Sequence, residues 1–126
     1  MNDKPVRIPG PDHPISIAPY DGRVLVRLGG QVIADTRKAL SLKEASYPAV
    51  LYIPREDAQM ALFERTTNAT HCPYKGDASY YTIKVGDRTA ENAIWSYETP
   101  FPAMKEIEGR LAFYPNRVDK IEAMLS

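Results

Sequence analysis

Thr70-His71-Cys72-Pro73-Tyr74-Lys75-Gly76-Asp77-Ala78-Ser79-Tyr80-Tyr81 is the stretch of this chain richest in groups able to do chemistry. It holds one of the two histidines, the only cysteine, a lysine, an aspartate and three tyrosines, set around a proline and a glycine. Three roles fit these residue types. His71 or Asp77 could move protons beside Lys75, Cys72 could act as a nucleophile, and Lys75 could hold an anion by charge-assisted hydrogen bonds. The competing reading is structural: Pro73 and Gly76 turn a corner, and His71 and Asp77 hydrogen-bond to it.

Spacing narrows the choice. Adjacent side chains of an extended backbone point to opposite faces, so His71 is not placed to serve Cys72 as a base. A Cys72 nucleophile needs His13 or a carboxylate instead, and a free cysteine is often just a small buried apolar residue. His13, in Pro11-Asp12-His13-Pro14, stands alone and reads as a surface or hydrogen-bonded residue rather than a ligand or catalyst. A structural zinc site wants four Cys/His ligands in short-spaced pairs, which this chain does not supply. No metal is assigned, although His71, Asp77 and Glu56 remain open as a sparse ligand set. Neither a P-loop nor a GxGxxG string is present, and the sequence specifies no cofactor. Arg55, Lys75 and Arg37 remain as cations for a phosphate or carboxylate. Tyr74, Tyr80, Trp95, Tyr97 and Tyr114 could wall a pocket, or fill a β core with aromatic bulk.

These residues need elements to position them. Pro73 biases Cys72 towards an extended backbone, Lys75-Gly76 suits a tight turn, and alternation begins at Ala78, with Tyr81, Ile83 and Val85 on one face and Tyr80, Thr82 and Lys84 on the other. The segment therefore reads as a polar loop feeding a strand. Before it, six prolines or glycines within residues 5–19 preclude helix and discourage a central strand, giving an extended arm. Gly29-Gly30 predicts a two-residue hairpin turn within Arg23 to Asp35, pairing Leu28 with Gln31 and Val26 with Ile33. Ala39 to Lys43 alternates as a short strand, and Ala49 to Ile53 is an apolar run of buried-strand type. Pro54 with Glu56 and Asp57 is a helix-start signal, followed by one or two turns through Leu62. Arg55 is out of place there, since a cation in a first turn opposes the helix dipole; its partner is either a carboxylate of the protein or an anionic ligand. A short strand and turn cover Leu62 to Thr70. Gly86-Asp87 turns a second hairpin returning to Tyr97, with a bulge at Asn92-Ala93-Ile94. After Pro100-Phe101-Pro102, a helical turn near Ala103 to Ile107 and strands around Arg110 to Tyr114 and Val118 to Met124 complete the chain.

The bulk numbers exclude several classes. The 126 residues fit one domain with a real core. Sixteen basic residues balance sixteen acidic ones, so no broad electrostatic case exists for nucleic acid or an anionic membrane. A single cysteine cannot form an internal disulfide, no apolar run approaches the ~20 residues of a membrane span, and the N-terminus lacks a secretory apolar core. A cytoplasmic location is the expectation.

The strings Pro11-Asp12-His13-Pro14-Ile15, Val32-Ile33-Ala34-Asp35-Thr36-Arg37, Tyr52-Ile53-Pro54-Arg55-Glu56-Asp57, residues 70–78, Ala93-Ile94-Trp95-Ser96-Tyr97 and Ala112-Phe113-Tyr114, in this order, resemble the bacterial and fungal family numbered 427 among domains of unknown function. Two departures, Ala58 where Val is usual and Glu98 where Pro is frequent, touch none of the reactive groups named above. The resemblance implies a mainly β single domain with a central pocket and no assigned activity. The family carries a nucleotidyltransferase-type label, but this chain has no Gly-Ser motif followed by paired Asp residues to hold magnesium.

Taken together, the expected fold is mainly β: antiparallel strands in a small barrel-like or tent-like twisted sheet with one or two helical turns. Residues 1–22 form a Pro-rich arm and residues 23–126 the domain. The expected function is a pocket for a small anionic metabolite, bound by Arg55, Tyr74, Lys75, Tyr80, Trp95 and Tyr97, with His71, Cys72 and Asp77 as candidate catalytic groups. The alternatives are a non-catalytic interaction or structural domain, and nucleotidyl transfer. The partner is then a small molecule rather than nucleic acid or membrane, and the chain a monomer or homodimer.

Overall fold

Proline-rich sequence and abundant turn residues leave this chain little room for helix, and among the described residues none is α-helical. The computed structural model describes residues 4–126. Its strands are β1 (Ile15–Pro19), β2 (Gly22–Leu28), β3 (Gln31–Thr36), β4 (Leu40–Glu44), β5 (Val50–Tyr52), β6 (Phe63–Cys72), β7 (Gly76–Val85), β8 (Arg88–Ser96), β9 (Ala112–Phe113) and β10 (Lys120–Leu125). All pairings are antiparallel. They form three sheets, ordered β1-β4-β5, β10-β2-β3 and β6-β7-β8-β9, rather than one closed barrel.

The proline-rich arm ends in an ordered edge strand. β1 pairs with β4 from Ile15↔Glu44 to Pro19↔Leu40, and an edge is where the missing N–H of Pro19 costs least. Gly29 (φ 60°) and Gly30 (φ 78°) make the first hairpin turn, a conformation that a Cβ disfavours. Leu28 meets Gln31 as the sequence indicates, but a bulge then sets Val26 opposite Ala34 instead of Ile33. Pro54 opens a 3₁₀ turn at Arg55–Asp57, and a second follows at Met60–Leu62. Ala58 between them is extended, so no continuous helix forms. The bulge expected near Asn92 is present: the register jumps from Tyr81↔Ile94 to Ile83↔Ala90, and Asn92 takes φ 48°.

Residues 70–77 differ from the expected loop. His71 and Cys72 belong to β6, paired with Asp77 and Gly76 of β7, so the reactive stretch is the tip of a long hairpin closed by Pro73-Tyr74-Lys75. Gly76 has φ 112°, and this glycine lets the chain re-enter the ladder immediately after the turn.

β7 has a core on each side. Tyr81, Ile83 and Val85 join Val24, Val26 and Ile94 in one apolar cluster. Ala78 and Tyr80 join Leu42, Tyr52, Tyr97 and Ile107 in another, between β4 and β5 and the four-stranded sheet. Reciprocal backbone bonds between Ile53 and Leu111, each 2.8 Å, tie the end of β5 to the segment entering β9. The hairpin tip therefore projects beside the second core, where the aromatic residues gather.

Candidate functional site

The second core does not close at its edge. It leaves a cavity of about 220 Å³ walled by Tyr47, Tyr52, Tyr80, Trp95, Tyr97 and Tyr114. Period-two alternation puts Trp95 and Tyr97 on one face of the segment ending β8, and Tyr80 lies opposite Trp95 on β7. Trp95 is fixed by a 3.3 Å bond from its Nε1–H to the Tyr52 hydroxyl. Its indole packs against Tyr114 with ring centres 4.4 Å apart.

Two charged residues complete the lining, Lys75 from the hairpin tip and Glu44 from the end of β4. The Lys75 side chain is only 8% exposed and donates to Glu44 Oε1. His13 Nε2–H donates to the other carboxylate oxygen at 2.7 Å. Tyr74 supports His13 from behind, the two rings stacked 4.1 Å apart and 7° from parallel. A second Lys75 hydrogen points at Cys72 Sγ, 3.5 Å away, and the ammonium lies 5.8 Å from the centre of the Tyr97 ring.

These environments set the protonation states. Burial pushes the Glu44 carboxyl up, but the hydrogen bonds from Lys75 and His13, with their charges, outweigh it and hold the group below its ordinary value. Burial raises the hydroxyls of Tyr52 and Tyr97 well above ordinary tyrosine. Burial, helped by the neighbouring Tyr80 hydroxyl, pushes Tyr114 up to about 12. All three therefore keep their protons at neutral pH, and Tyr52 accepts from Trp95. Tyr97 is 7% exposed, and no hydrogen bond satisfies its hydroxyl among the described residues. Yet no sealed side-chain polar atom lacks a partner there, so this hydroxyl is not fully sealed, and Tyr97 lines the cavity.

The expected site residues divide among three places. Lys75, Tyr80, Trp95 and Tyr97 line the cavity; Tyr74 does not, and stacks instead on His13, which holds Glu44. Arg55 does not share it with Lys75. Its Nε donates to the Gly109 carbonyl, Nη1 to Tyr81 Oη at 3.1 Å, and Nη2 to Ser96 Oγ and Glu98 Oε2 at 3.2 and 2.9 Å. Four of the five guanidinium hydrogens are thus spent inside the protein. The partner of this first-turn cation is a carboxylate, Glu98, which also receives Tyr81 at 2.6 Å and Arg65 at 3.0 Å. The Glu98 departure thus bears directly on Arg55, contrary to the sequence reading.

His71 and Asp77 sit on the outer side of the hairpin and fasten the N-terminal arm. His71 Nδ1–H donates to Asp77 at 2.7 Å and Nε2–H to the Pro5 carbonyl at 2.8 Å. Lys4 meets both Asp77 oxygens at 3.0 Å, and the Arg7 amide donates to the Pro73 carbonyl at 2.7 Å. Both imidazole nitrogens face acceptors, which favours the imidazolium. The Pro5 carbonyl first, then Asp77, accordingly raises the His71 pKa, and His71 and Lys4 lower that of Asp77. Cys72 is half-buried against the second core and touches Lys75 without lining the cavity. Among the described residues no three His, Cys, Asp or Glu side chains converge to hold a metal, and no helix is long and apolar enough to cross a membrane.

Sequence reasoning missed Glu44, Tyr47 and Tyr52. Tyr52 ends β5 and the exposed Tyr47 precedes it in the chain, and two tyrosines about a short apolar run were the available signal. Nothing local marks Glu44, whose partner lies 31 residues away in another sheet. No curated protein matches the chain. The profile of the Domain of unknown function (DUF427) family matches residues 16–124, nearly the whole fold including every residue of the cavity, and the chain belongs to that family.

Proposed function

We propose that the cavity beside Lys75 binds a small metabolite carrying a single negative charge, a carboxylate in the first instance. The observation that carries this reading is the pairing of two buried donors with open space. Lys75 has three hydrogens and gives one to Glu44 and one to Cys72, while the Tyr97 hydroxyl has no acceptor among the described residues. A ligand oxygen between them satisfies both. Aromatic walls of this kind exclude water and stack on a planar or apolar ligand body.

Charge bounds the ligand. Arg55 is committed elsewhere, so among the described residues the cavity has one ammonium, paired with the Glu44 carboxylate that His13 also binds. A monoanion adds the smallest negative charge to that arrangement. A phosphate dianion or a nucleotide triphosphate would meet the Glu44 carboxylate with too little positive charge beside it.

A thermal-shift panel tests the reading, with monocarboxylates, sugar phosphates and nucleotides, each with and without magnesium. A ligand specific to the folded state at a hundredfold excess over its Kd adds about 2.7 kcal/mol of stability. The expected result is a shift with monocarboxylates that is lost in Lys75→Met and weakened in Tyr97→Phe. A shift that survives both substitutions, or one confined to nucleotides with magnesium, overturns it.

A further inference from the structure

A second cavity, of about 290 Å³, adjoins the first, and Val50 and Trp95 line both. Its remaining walls come from β2, β10, the residues around β5 and the turn after β9, with Val24, Leu51, Ile53, Phe113 and Ile121 among them. Among the described residues no charged side chain lines it. It is also not sealed: Val50, Leu51, Trp95 and Ile121 are partly exposed, and Ala49 at the rim is exposed. An uncharged apolar groove open to water costs free energy unless something covers it. Its continuity with a cavity holding a buried lysine says what kind of molecule fits.

We infer that the two cavities form one site for an amphipathic monocarboxylate. The inference rests on the binding role proposed for the Lys75 cavity and names the ligand class. The carboxylate lies between Lys75 and Tyr97, and an apolar tail passes Val50 and Trp95 into the groove. A methylene takes about the 30 Å³ that a water occupies in the liquid, so at full packing the groove holds a tail of about nine carbons. The alternation of β8 directs Trp95 to the junction, where one indole face can pack against the tail while Nε1 stays anchored on Tyr52.

Trp95 is the only tryptophan of the chain, so its emission reports on this junction alone. The experiment titrates the protein with acetate, butyrate, hexanoate, octanoate and decanoate and follows that emission. Affinity should rise roughly three- to fourfold with each added methylene, the value of burying one such group, and level off once the groove is full. Lys75→Met should weaken every member of the series. Ala49→Phe, at the exposed rim, should flatten the chain-length dependence; Ile121→Phe fills the groove from β10 and should do the same.

Binding that depends on Lys75 but not on chain length leaves the carboxylate cavity standing and overturns the amphiphile. Emission that no carboxylate alters, or that responds equally in Lys75→Met, removes both. If no chain-length effect appears and sedimentation finds a dimer that Ala49→Phe dissociates, the groove belongs to a second copy of the chain and the inference fails.

Discussion

The Lys75–Glu44 pair can be taken apart with a double-mutant cycle, and its geometry sets the size of the effect. Removing one partner of a fully buried pair costs about 3–5 kcal/mol, whereas an exposed pair is worth about 0–1 kcal/mol. Here the lysine side chain is 8% exposed and the carboxylate 18%, which places the pair towards the buried limit. His13 stays on the other Glu44 oxygen when Lys75 is lost, and that bond offsets part of the penalty. Lys75→Met should therefore cost about 2 kcal/mol, since one charge-assisted partner remains. Adding Glu44→Gln should recover at least half of that loss, because no uncompensated carboxylate is left while the amide oxygen still accepts from His13. In a domain of this size about 2 kcal/mol corresponds to a fall in Tm of roughly 6–10 °C. Urea unfolding followed by circular dichroism and by Trp95 emission supplies the free energies of the four proteins. The decisive comparison joins stability to binding: the double variant should regain stability without regaining carboxylate affinity. A single Lys75→Met variant as stable as the native protein, with no coupling to Glu44, would refute the claim that this charge is buried and paired. Acid should act on the same pair. The folded Glu44 pKa is depressed, so its contribution is complete above the ordinary carboxylate value of about 4.5 and disappears as pH falls through the lower folded value.

Three further outcomes follow from other parts of the structure. The arm held by His71 should loosen with alkali: its pKa is raised above 6.5, so its contribution is full below that value and is lost as pH rises through the folded pKa. A heteronuclear NOE at the Arg7 amide that falls on going from mildly acidic to alkaline buffer, and falls at every pH in His71→Ala, checks this; an unchanging NOE refutes it. Arg55→Lys should lower stability by about 2–3 kcal/mol in chemical denaturation, because an ammonium cannot reach Gly109, Tyr81, Ser96 and Glu98 together, yet carboxylate affinity should stay the same. Gly22→Ala should cost on the order of 3 kcal/mol, since a Cβ there would stand 2.1 Å from the Met124 carbonyl and push β10 off β2, and an unshifted denaturation midpoint would show that β10 yields freely.

What the sequence made legible was local. Gly29-Gly30 and Gly86-Asp87 announce their hairpins because turn geometry depends on those residues alone, and Asn92-Ala93-Ile94 announces its bulge by breaking the strand alternation, with Asn92 taking positive φ in the structure. Tyr81, Ile83 and Val85 sort to one core by alternation. The error in the β2–β3 register has an equally local cause, since a one-residue bulge leaves both Ile33 and Ala34 buried and the hydrophobic pattern does not distinguish the two pairings. Division into three sheets was not legible, because it depends on which strand edges meet, and short strands of similar apolar content do not encode that individually.

The candidate site shows the same boundary in its chemistry. Arg55 at the start of a 3₁₀ turn and Lys75 at a hairpin tip both stand out as charges in need of partners, and both have them. Which partner each has is decided by packing between sheets. Glu98 comes to Arg55 from the end of β8, and Glu44 comes to Lys75 from β4, a strand whose sequence gives no sign of facing a pocket. The two cations were therefore readable as special but not as separate, and grouping them on one anion followed from the absence of distance information. Their separation changes the chemistry. Two converging cations suit a phosphate; a single ammonium restrained by Glu44, beside a tyrosine hydroxyl with no acceptor among the described residues, suits one carboxylate. The apolar groove continuing past Trp95 then asks for the rest of that molecule to be hydrocarbon.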